Sequence, residues 1–337
     1  MQHNTRNSLC DLNQSGSNSA RNRRDVLQSG LLGLMGLSCL TEPAAAAGQQ
    51  SDKLHNDHLL LGFSTYGMKS LTTEAAISHI ARIGFDSVEI TVWPDWNAAP
   101  TNMTAERRRT VRTQLVDSGL RLTSLMEHIV PSENDAQHAA HRTRLAGVFE
   151  LAKDLCPSQR PLVQTVLGGG QWKQKRELLR DRVGDWLDIA TERQTVLAIK
   201  PHRGGVMSRP EEAVWLIEQL GRSKYLRIVY DYSHYAYRDM SMEDTVRTAL
   251  PYLAHVAVKD AVKEGDRILF KLPGQAGTIS YAKLLKSLFN GGYRGDISCE
   301  VSGMVWSKPG YDPVSAAEAC YRSLSGAFTA ANVPRPS

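Results

Sequence analysis

The chain has 337 residues, of which 42% are hydrophobic and 7% aromatic, and its formal net charge at pH 7 is +5. This composition is typical of a globular protein with a sizeable core, and it excludes a disordered or fibrous chain. A net charge of +5 on a chain of this length is too small to indicate a nucleic-acid partner.

The amino-terminal segment differs in composition from the rest of the chain. The stretch RNRRDVLQSG, with its pair of arginines, precedes the short apolar stretch LLGLMGLSCL and the small residues of TEPAAAAG. This order resembles a bacterial Tat export signal that is cut near Ala46 or Ala47. We therefore expect residues 1–47 to be a cleaved signal peptide and residues 48–337 to be the mature protein, exported to the periplasm.

The apolar stretch of this segment is too short for a membrane-spanning helix. It contains about ten residues, whereas a bilayer requires roughly 20, so we expect no stable membrane span. A lipid anchor at Cys39 is one alternative, although Gly36 stands where a lipoprotein signal normally has leucine. Retention of the chain in the cytoplasm is the other alternative.

From Leu59 onward, strand-like and helix-like patterns alternate without an internal linker. The predicted strands are short apolar runs, and the predicted helices carry apolar residues at three- and four-residue spacing. The strands are predicted at residues 59–67, 86–93, 120–128, 161–170, 195–202, 226–234, 253–260 and 295–303. The helices are predicted at residues 72–84, 103–119, 136–155, 175–193, 209–221, 242–252, 281–292 and 312–328.

This alternation predicts a (β/α)8 TIM barrel that forms the single domain of the mature chain. The strands are apolar along their whole length, as expected where the barrel interior covers one face and the helices cover the other. A doubly wound open sheet is the alternative, but no GxGxxG motif follows an early strand. The run Gly168-Gly169-Gly170 lacks that spacing and is predicted to form a flexible loop.

Several predicted strands end in charged or polar side chains, and Asp231 in LRIVYDYSH is the clearest case. An unpaired buried carboxylate is costly, so Asp231 requires a partner or a cation. Side-chain alternation along the strands places other polar groups at the same carboxyl-terminal mouth of the barrel. These groups are Glu89, Gln164, Lys200, Lys259 and Glu300; His202 shares the face of Lys200, and His234 lies in the loop beyond Asp231. They indicate an active site, with interior salt bridges that stabilise the barrel as the alternative.

The order of several short motifs resembles one known family. The motifs are IARIGFDSVEI, DYSH, HVAVKD, LPGQAGTISYAKLL and GYRGDISCEV, and the resemblance covers about residues 59–325. The chain resembles the sugar phosphate isomerase/epimerase family of xylose isomerase-like TIM barrels. The resemblance implies a divalent metal, such as Mn²⁺, Mg²⁺, Co²⁺ or Zn²⁺, held by Glu, Asp, His and Glu from four strand ends.

Two of the four implied metal ligands are present in this chain. Asp231 and Glu300 match family ligands, and His234 matches a histidine that supports the ligands or binds substrate. Lys200 stands where the family has a glutamate, and Ala257 stands where it has a histidine. Because a hard divalent cation requires about six oxygen or nitrogen donors, these two departures weaken the ordinary metal site.

The two departures allow two arrangements of the mouth. In the first, the ammonium group of Lys200 lies between Asp231 and Glu300 and replaces the charge of the metal. Lys200 then polarises a substrate carbonyl, or it loses its proton and serves as a base or Schiff-base amine. In the second, His202 and His234 join the two carboxylates in a rearranged metal site, while the lysine contacts substrate.

Aromatic and basic residues in the mouth loops provide predicted sugar contacts. Trp93 and Trp96 follow the second strand and Trp306 follows the eighth, where their faces can pack on sugar rings. Arg203, next to Gly204-Gly205, can bind a carboxylate or a phosphate. The predicted substrate-binding residues are Glu89, Trp93, Gln164, His202, Arg203 and Trp306. The predicted catalytic residues are Lys200, Asp231, His234, Lys259 and Glu300.

These features predict an exported isomerase or epimerase, or a related lyase, that acts on a carbonyl sugar. A base at a strand end would move a proton alpha to the carbonyl, and the charged residues would stabilise the enediolate. A carbohydrate-binding barrel without catalytic activity is the alternative, which Lys200 and Ala257 favour. An endonuclease IV-type activity is a more distant alternative, because the resemblance implies a three-zinc cluster for it, with several ligands that this chain lacks.

Overall fold

A computed structural model of the chain describes residues 57–336. The predicted signal segment, residues 1–47, lies outside the described residues. The strands are β1 (Leu60–Ser64), β2 (Ser87–Thr91), β3 (Arg121–Met126), β4 (Leu162–Thr165), β5 (Leu197–Ile199), β6 (Leu226–Tyr230), β7 (Leu253–Val258), β8 (Asp260–Glu264), β9 (Arg267–Lys271) and β10 (Asp296–Cys299). The helices are α1 (Thr73–Ile83), α2 (Ala105–Asp117), α3 (Asp135–Leu155), α4 (Trp172–Glu192), α5 (Pro210–Gln219), α6 (Met242–Ala249), α7 (Tyr281–Asn290), α8 (Gly303–Trp306) and α9 (Pro313–Ala331). Short 3₁₀ helices cover Thr65–Met68, Pro100–Asn102, Tyr232–His234 and Leu250–Tyr252.

The barrel strands are parallel and close on themselves in the order β1-β10-β7-β6-β5-β4-β3-β2. Helices alternate with these strands along the chain, which confirms the predicted TIM barrel. Strands that follow one another in the sequence are therefore neighbours in the ring, and β7 lies between β6 and β10. Within residues 57–336, no helix combines the length and the apolar character needed to cross a membrane.

Helix α1 illustrates how the sequence defines the ends of a helix. Thr72 is its N-cap, and the hydroxyl oxygen of Thr72 accepts a hydrogen bond from the amide of Ala75 at 3.2 Å. The helix ends at Ile83, and its C-cap is Gly84, whose φ of 104° lies in the left-handed region that glycine adopts without strain. Its buried residues include Ile77 and Ile80, which belong to the large apolar core that contains both barrel and helix side chains.

Side-chain alternation along the strands builds two layers inside the barrel. The lower layer is a buried apolar cluster of Leu162, Ala198, Val229 and Ala257. The residue two positions later on each of these strands points to the same face and is polar. These residues, Gln164, Lys200, Asp231 and Lys259, form the upper layer. The strand period therefore brings polar groups together at the carboxyl-terminal mouth, as predicted.

The antiparallel hairpin of β8 and β9 lies outside the barrel, and the sequence patterns did not predict it. Gly265 and Asp266 form the two-residue turn, and Gly265 has a φ of 58°, as is common for glycine in tight hairpins. Phe270 of β9 is buried, and its ring centroid lies 5.1 Å from that of His234. The hairpin therefore covers one side of the barrel mouth.

Candidate active site

Four charged side chains from the barrel strands meet at the mouth. Lys200 directly follows β5, Asp231 follows β6, and Lys259 follows β7. Glu300 directly follows β10. All four are buried, with exposed fractions between 0% and 7%. We call these four residues the charged cluster.

Hydrogen-bonded ion pairs connect the members of the charged cluster. Lys259 Nζ donates to Glu300 Oε1 at 2.8 Å and also to Asp231 Oδ2. Lys200 Nζ donates to Glu300 Oε2. Two ammonium groups thus face two carboxylates, and their formal charges cancel. This pairing offsets the large free-energy cost of removing the four charges from water.

The positions of the two lysines correct the prediction from the sequence. Lys259, and not Lys200, lies between Asp231 and Glu300. The order of the strands explains this arrangement, because β7 lies between β6 and β10, whereas β5 is separated from β10 by two strands. Lys200 therefore reaches across the mouth to Glu300.

Burial and ion pairing together set the protonation states of the charged cluster. Burial by itself raises the pKa of Glu300, but Lys200 and Lys259 outweigh burial and hold that pKa well below its usual range. Burial lowers the pKa of Lys259, but Asp231 and Glu300 outweigh this effect and raise the pKa above its usual value. At neutral pH, Glu300 is therefore ionised and Lys259 is protonated.

Two histidine rings pack against each other beside the charged cluster. The ring centroids of His202 and His234 are 4.0 Å apart. His234 Nε2 lies 3.4 Å from Asp231 Oδ2, but neither ring nitrogen of His234 makes a hydrogen bond within residues 57–336. Burial, reinforced by Lys259, lowers the pKa of His202 to about 4 and holds the pKa of His234 well below its usual value. Both imidazoles are therefore neutral at pH 7.

A cavity of about 460 Å³ opens at the mouth beside the charged cluster. This volume lies within the range of about 300–1,000 Å³ that is usual for small-ligand sites. The predicted site residues that line the cavity are Trp93, Gln164, Lys200, His202, Arg203 and Glu300. Those that do not line it are Glu89, Asp231, His234, Lys259 and Trp306. Lys200 and Glu300 therefore connect the cavity with the rest of the charged cluster.

A second buried network lies deeper in the barrel. His255 Nδ1 is 2.9 Å from Asp296 Oδ1, and His255 Nε2 is 3.2 Å from Glu89 Oε2. Burial lowers the pKa of His255, but the carboxylates of Asp296 and Glu89 outweigh burial and raise the pKa to about 10. His255 is therefore an imidazolium between two carboxylates. Its position in the core agrees with the strand alternation, because His255, Ala257 and Lys259 share one face and His255 lies two steps below Lys259.

This deeper network orients the amide of Gln164. Gln164 Nε2 donates to Glu89 Oε2, and an ionised carboxylate can only accept hydrogen bonds. The imidazolium of His255 opposes the effect of burial and keeps the pKa of Glu89 below its usual value, so Glu89 is ionised. Glu89 is fully buried and contacts Gln164, so the structure does not support the predicted contact of Glu89 with substrate. The carbonyl oxygen of Gln164 stays available to a ligand.

Among the lining residues that were not predicted as site residues, three carry polar side chains: Tyr66, Glu127 and His128. Glu127 and His128 directly follow β3. Glu127 is buried and accepts a hydrogen bond from Arg144 Nε at 3.1 Å. Burial raises the pKa of Glu127 above its usual value, although Arg144 opposes this effect. Glu127 and His128 stand at the end of an apolar run, which is the pattern that identified Asp231. The sequence therefore contained a signal for these two residues.

Aromatic residues of the mouth loops pack on one another at the edge of the cavity. The ring centroid of Tyr66 lies 5.2 Å from that of Trp93 and 5.6 Å from that of Trp306. Trp93 lines the mouth cavity together with Tyr66, whereas Trp306 lines a separate cavity with Lys69. Trp96 is buried. Trp93 is therefore placed to contact a ligand in the mouth cavity, whereas Trp306 packs against Tyr66.

The residues at the mouth do not fit a metal ion. Asp231 and Glu300, the two predicted carboxylate ligands, both accept hydrogen bonds from Lys259. The ring of His202, the third predicted ligand, packs at a tilt against the ring of His234. In the part of the chain that the structure describes, no group of three or more His, Cys, Asp and Glu side chains could hold a metal ion. The structure therefore contradicts the predicted rearranged metal site, because ammonium groups already neutralise both carboxylates.

The closed barrel and the polar groups at its carboxyl-terminal mouth define a TIM barrel with an enzyme-like mouth. The model of the family described as xylose isomerase-like TIM barrel matches residues 77–321. The chain therefore belongs to this family.

A curated relative and two solved structures agree with the family. A putative hydroxypyruvate isomerase of Mus musculus is 26% identical over 113 residues, which are 32% of this chain and 38% of that protein. The chain thus spans less than two fifths of the length of this relative. The D-psicose 3-epimerase from Clostridium cellulolyticum H10 has a TM-score of 0.66 at 17% identity, and the alignment covers 81% of this chain and 99% of that one. The IOLI protein with a zinc atom has a TM-score of 0.66 at 15% identity, with 81% and 98% covered. At these identities the likeness to both structures concerns the fold.

Proposed function

We propose that the protein is an isomerase or epimerase that moves a proton alpha to the carbonyl of a sugar or sugar derivative, with ammonium groups in place of a metal. The observation that carries this proposal is the ammonium group of Lys200, which lines the cavity and is held by Glu300. The sugar epimerase among the similar structures supports the class of reaction. The relative named as a putative hydroxypyruvate isomerase supports a substrate with a carbonyl group.

Lys200 supplies the positive charge that this reaction requires. Removal of a proton alpha to a carbonyl creates an enediolate, and negative charge develops on its oxygen. Lys200 lines the cavity, and in this proposal its ammonium group donates a hydrogen bond to a substrate oxygen. Glu300 holds this ammonium group, and Lys259 holds Glu300. The charge is therefore in place before the substrate binds.

His202 is the cavity residue that we assign as the proton acceptor. Burial first, and Lys259 second, lower the pKa of His202 to about 4, so its imidazole is neutral at pH 7 and able to accept a proton. Glu300 is a weaker base, because its pKa is held well below the usual range. An enediolate beside Lys200 raises the proton affinity of His202 as the reaction proceeds.

A carbohydrate-binding barrel without catalytic activity is the second candidate. It is favoured by the ion pairs of Asp231 and Glu300, since both carboxylates are paired with Lys259 and the pKa of Glu300 is held well below its usual range. In that case Lys200 and Gln164 serve as hydrogen-bonding groups for a bound sugar, and no proton moves.

Hydrogen exchange in D₂O separates the two candidates. Purified protein is incubated with a panel of aldoses and ketoses, and NMR measures deuterium at the carbon next to the carbonyl. We expect exchange that EDTA does not abolish and that falls by about 100-fold or more in His202→Gln and Lys200→Met. The exposed Lys153 provides the control variant Lys153→Met, which should exchange at the wild-type rate. Sugar binding without any exchange would instead support the binding barrel.

We also propose that the protein is exported, on the pattern of residues 1–47. The variant Arg23→Lys with Arg24→Lys should keep the protein in the cytoplasm, because a Tat signal depends on its arginine pair. The wild-type protein recovered from the periplasm should begin near Ala47 or Gly48 when its amino terminus is sequenced. Export of the double variant at the wild-type level would contradict the proposal.

A further inference from the structure

We propose that the mouth cavity binds an anionic group of the substrate, a carboxylate or a phosphate, at Arg203. This inference rests on the proposed function, because it names the substrate class of the same cavity. The expected substrates are sugar acids or sugar phosphates, and neutral sugars should bind more weakly.

The charges that line the cavity are balanced except at Arg203. Lys200 and Glu300 pair with each other, and Glu127 pairs with Arg144. The lining histidines are neutral at pH 7, because burial lowers their pKa values. Within residues 57–336, Arg203 makes no ion pair with a carboxylate, and its Nη2 donates to a backbone carbonyl oxygen. The lining therefore carries one uncompensated positive charge.

The guanidinium of Arg203 retains unused hydrogen-bond donors. The contact between Nη2 and the carbonyl oxygen of Ala236 holds the side chain in place. Nε is buried and makes no hydrogen bond in the described part of the chain. Burial, together with the nearby Arg238, lowers the pKa of Arg203, which shows that positive charge is disfavoured at this place. A bound oxyanion would accept hydrogen bonds from the guanidinium and offset this excess of positive charge.

Two glycine loops leave space for such a group in the same cavity. Gly168 and Gly169 belong to the loop after β4, and Gly204 belongs to the loop after β5. The two loops are joined where Val206 N donates to the carbonyl oxygen of Gly168 at 2.7 Å. A Cβ on Gly169 or Gly204 would meet no atom within 4 Å. A ligand therefore has room beside these loops, next in sequence to Arg203.

Calorimetric titration with matched ligands tests the inference. Purified protein is titrated with D-glucose, D-glucuronate, D-glucose 6-phosphate and inorganic phosphate at neutral pH and constant ionic strength. We expect at least one of the two anionic sugars to bind about tenfold more tightly than D-glucose, and this preference to disappear in Arg203→Gln. Tighter binding of glucuronate identifies a carboxylate as the bound group, and tighter binding of the sugar phosphate identifies a phosphate. The control variant Arg222→Gln changes an arginine that pairs with Glu218 and is 67% exposed, and it should keep the preference.

A second variant keeps the test valid if Arg203→Gln does not fold. Gly169 lies in open space and its φ is not in the left-handed region, so Gly169→Asp introduces a carboxylate into the cavity without backbone strain. We expect Gly169→Asp to lose the preference for anionic sugars, because its carboxylate repels an anionic ligand. Equal affinity of the wild type for neutral and anionic sugars would overturn the inference. A preference that survives both Arg203→Gln and Gly169→Asp would overturn it as well.

The result can be separated from that of the proposed function, because binding is measured without turnover. Selective binding of anionic sugars with no deuterium exchange supports the anion site and contradicts the proposed isomerase. Deuterium exchange with no preference for anionic sugars supports the isomerase and contradicts the anion site.

Discussion

The two sides of the barrel mouth use their polar side chains differently. Asp231, His234 and Lys259 form what we call the closed side, which the hairpin covers. The ring of Phe270 lies 5.2 Å from Lys259 Nζ. Asp231 Oδ1 accepts a hydrogen bond from Ser233 Oγ at 2.6 Å, and its other oxygen accepts from Lys259. Both oxygens of the Asp231 carboxylate therefore have hydrogen-bond partners within the protein.

Gln164, Lys200 and His202 form what we call the open side, and all three line the cavity. The amide of Gln164 is oriented by the buried Glu89, and the imidazole of His202 is neutral. Their remaining hydrogen-bonding groups face the space that a ligand would occupy. Glu300 lies between the two sides, since one of its oxygens accepts from Lys200 and the other from Lys259.

The comparison shows how ammonium groups keep positive charge at the barrel mouth. A divalent cation would neutralise two carboxylates from one point, whereas this chain uses two ammonium groups on opposite sides of Glu300. Lys259 is buried and mainly stabilises its partners. Lys200 faces the cavity, where a substrate oxygen can compete for its protons. The same residue type thus has a structural role on one side and a proposed chemical role on the other.

Replacing Lys259 should have the largest effect, because it removes the cation of the closed side. Lys259→Met leaves Asp231 and one oxygen of Glu300 without a cation in a buried site. Breaking a buried ion pair in this way costs about 3–5 kcal/mol. We expect the free energy of unfolding, measured by urea denaturation, to fall by that amount.

Lys200→Met is the matched variant on the open side. Glu300 keeps its contact with Lys259, and solvent in the cavity can reach the vacated position. We expect a smaller loss in the free energy of unfolding, about 1–2 kcal/mol. Equal losses in the two variants would contradict the distinction between a closed and an open side.

After Lys259→Met, the next largest effect should come from rebuilding the metal site of the family. Lys200→Glu and Ala257→His restore the two ligands implied by the family resemblance, and Lys259→Met removes the ammonium group that lies between Asp231 and Glu300. With Mn²⁺ at about 100 times its Kd, binding would stabilise the triple variant by about 2.7 kcal/mol. Thermal melts with and without Mn²⁺ measure this gain.

Two controls show whether the lysines exclude the metal. We expect the wild type to melt at the same temperature with and without Mn²⁺. The double variant that keeps Lys259 should gain less than the triple variant, because the ammonium group competes with the cation for both carboxylates. A wild type that binds one equivalent of Mn²⁺, Co²⁺ or Zn²⁺ tightly, as measured by elemental analysis, would restore the rearranged site of His202, Asp231 and Glu300.

The barrel and its upper polar layer could be predicted because each rests on a local period. Apolar runs separated by amphipathic helices give the order of the elements, and the two-residue period of a strand decides which side chains share a face. This period correctly placed Gln164, Lys200, Asp231 and Lys259 above the apolar layer. The order of the strands around the barrel was also implied, and using it would have placed Lys259 between the two carboxylates.

Other parts of the site depend on features that no local period describes. Glu127 directly follows Met126, which pairs with the inward-facing Gln164, so strand alternation would direct Glu127 away from the mouth. The hairpin of β8 and β9 extends the run of β7 almost without a break, so its first strand reads as part of a barrel strand. The turn at Gly265-Asp266 was the available signal. The contact of Phe270 with His234 follows from the fold and not from the sequence spacing.

The deeper network offers the last and smallest test, because it stabilises the barrel in a way that depends on pH. The pKa of His255 is raised to about 10 in the folded protein, whereas an unperturbed histidine has a pKa of about 6.5. Between these values the folded state holds a proton that the unfolded state has lost, so the free energy of unfolding falls as pH rises. The contribution of His255 is fully present below about pH 6.5 and is lost as pH rises through the folded value.

We expect the free energy of unfolding to fall by at most about 1.4 kcal/mol per pH unit between about pH 7 and 8.5. His202 and His234, whose folded pKa values are lowered, oppose this decline near pH 7, where part of the unfolded state is still protonated, and add little slope above about pH 7.5. Urea denaturation of the wild type across this range should show the decline, and His255→Gln, although less stable, should show a flatter profile. The same slope in His255→Gln as in the wild type would show that another group is responsible.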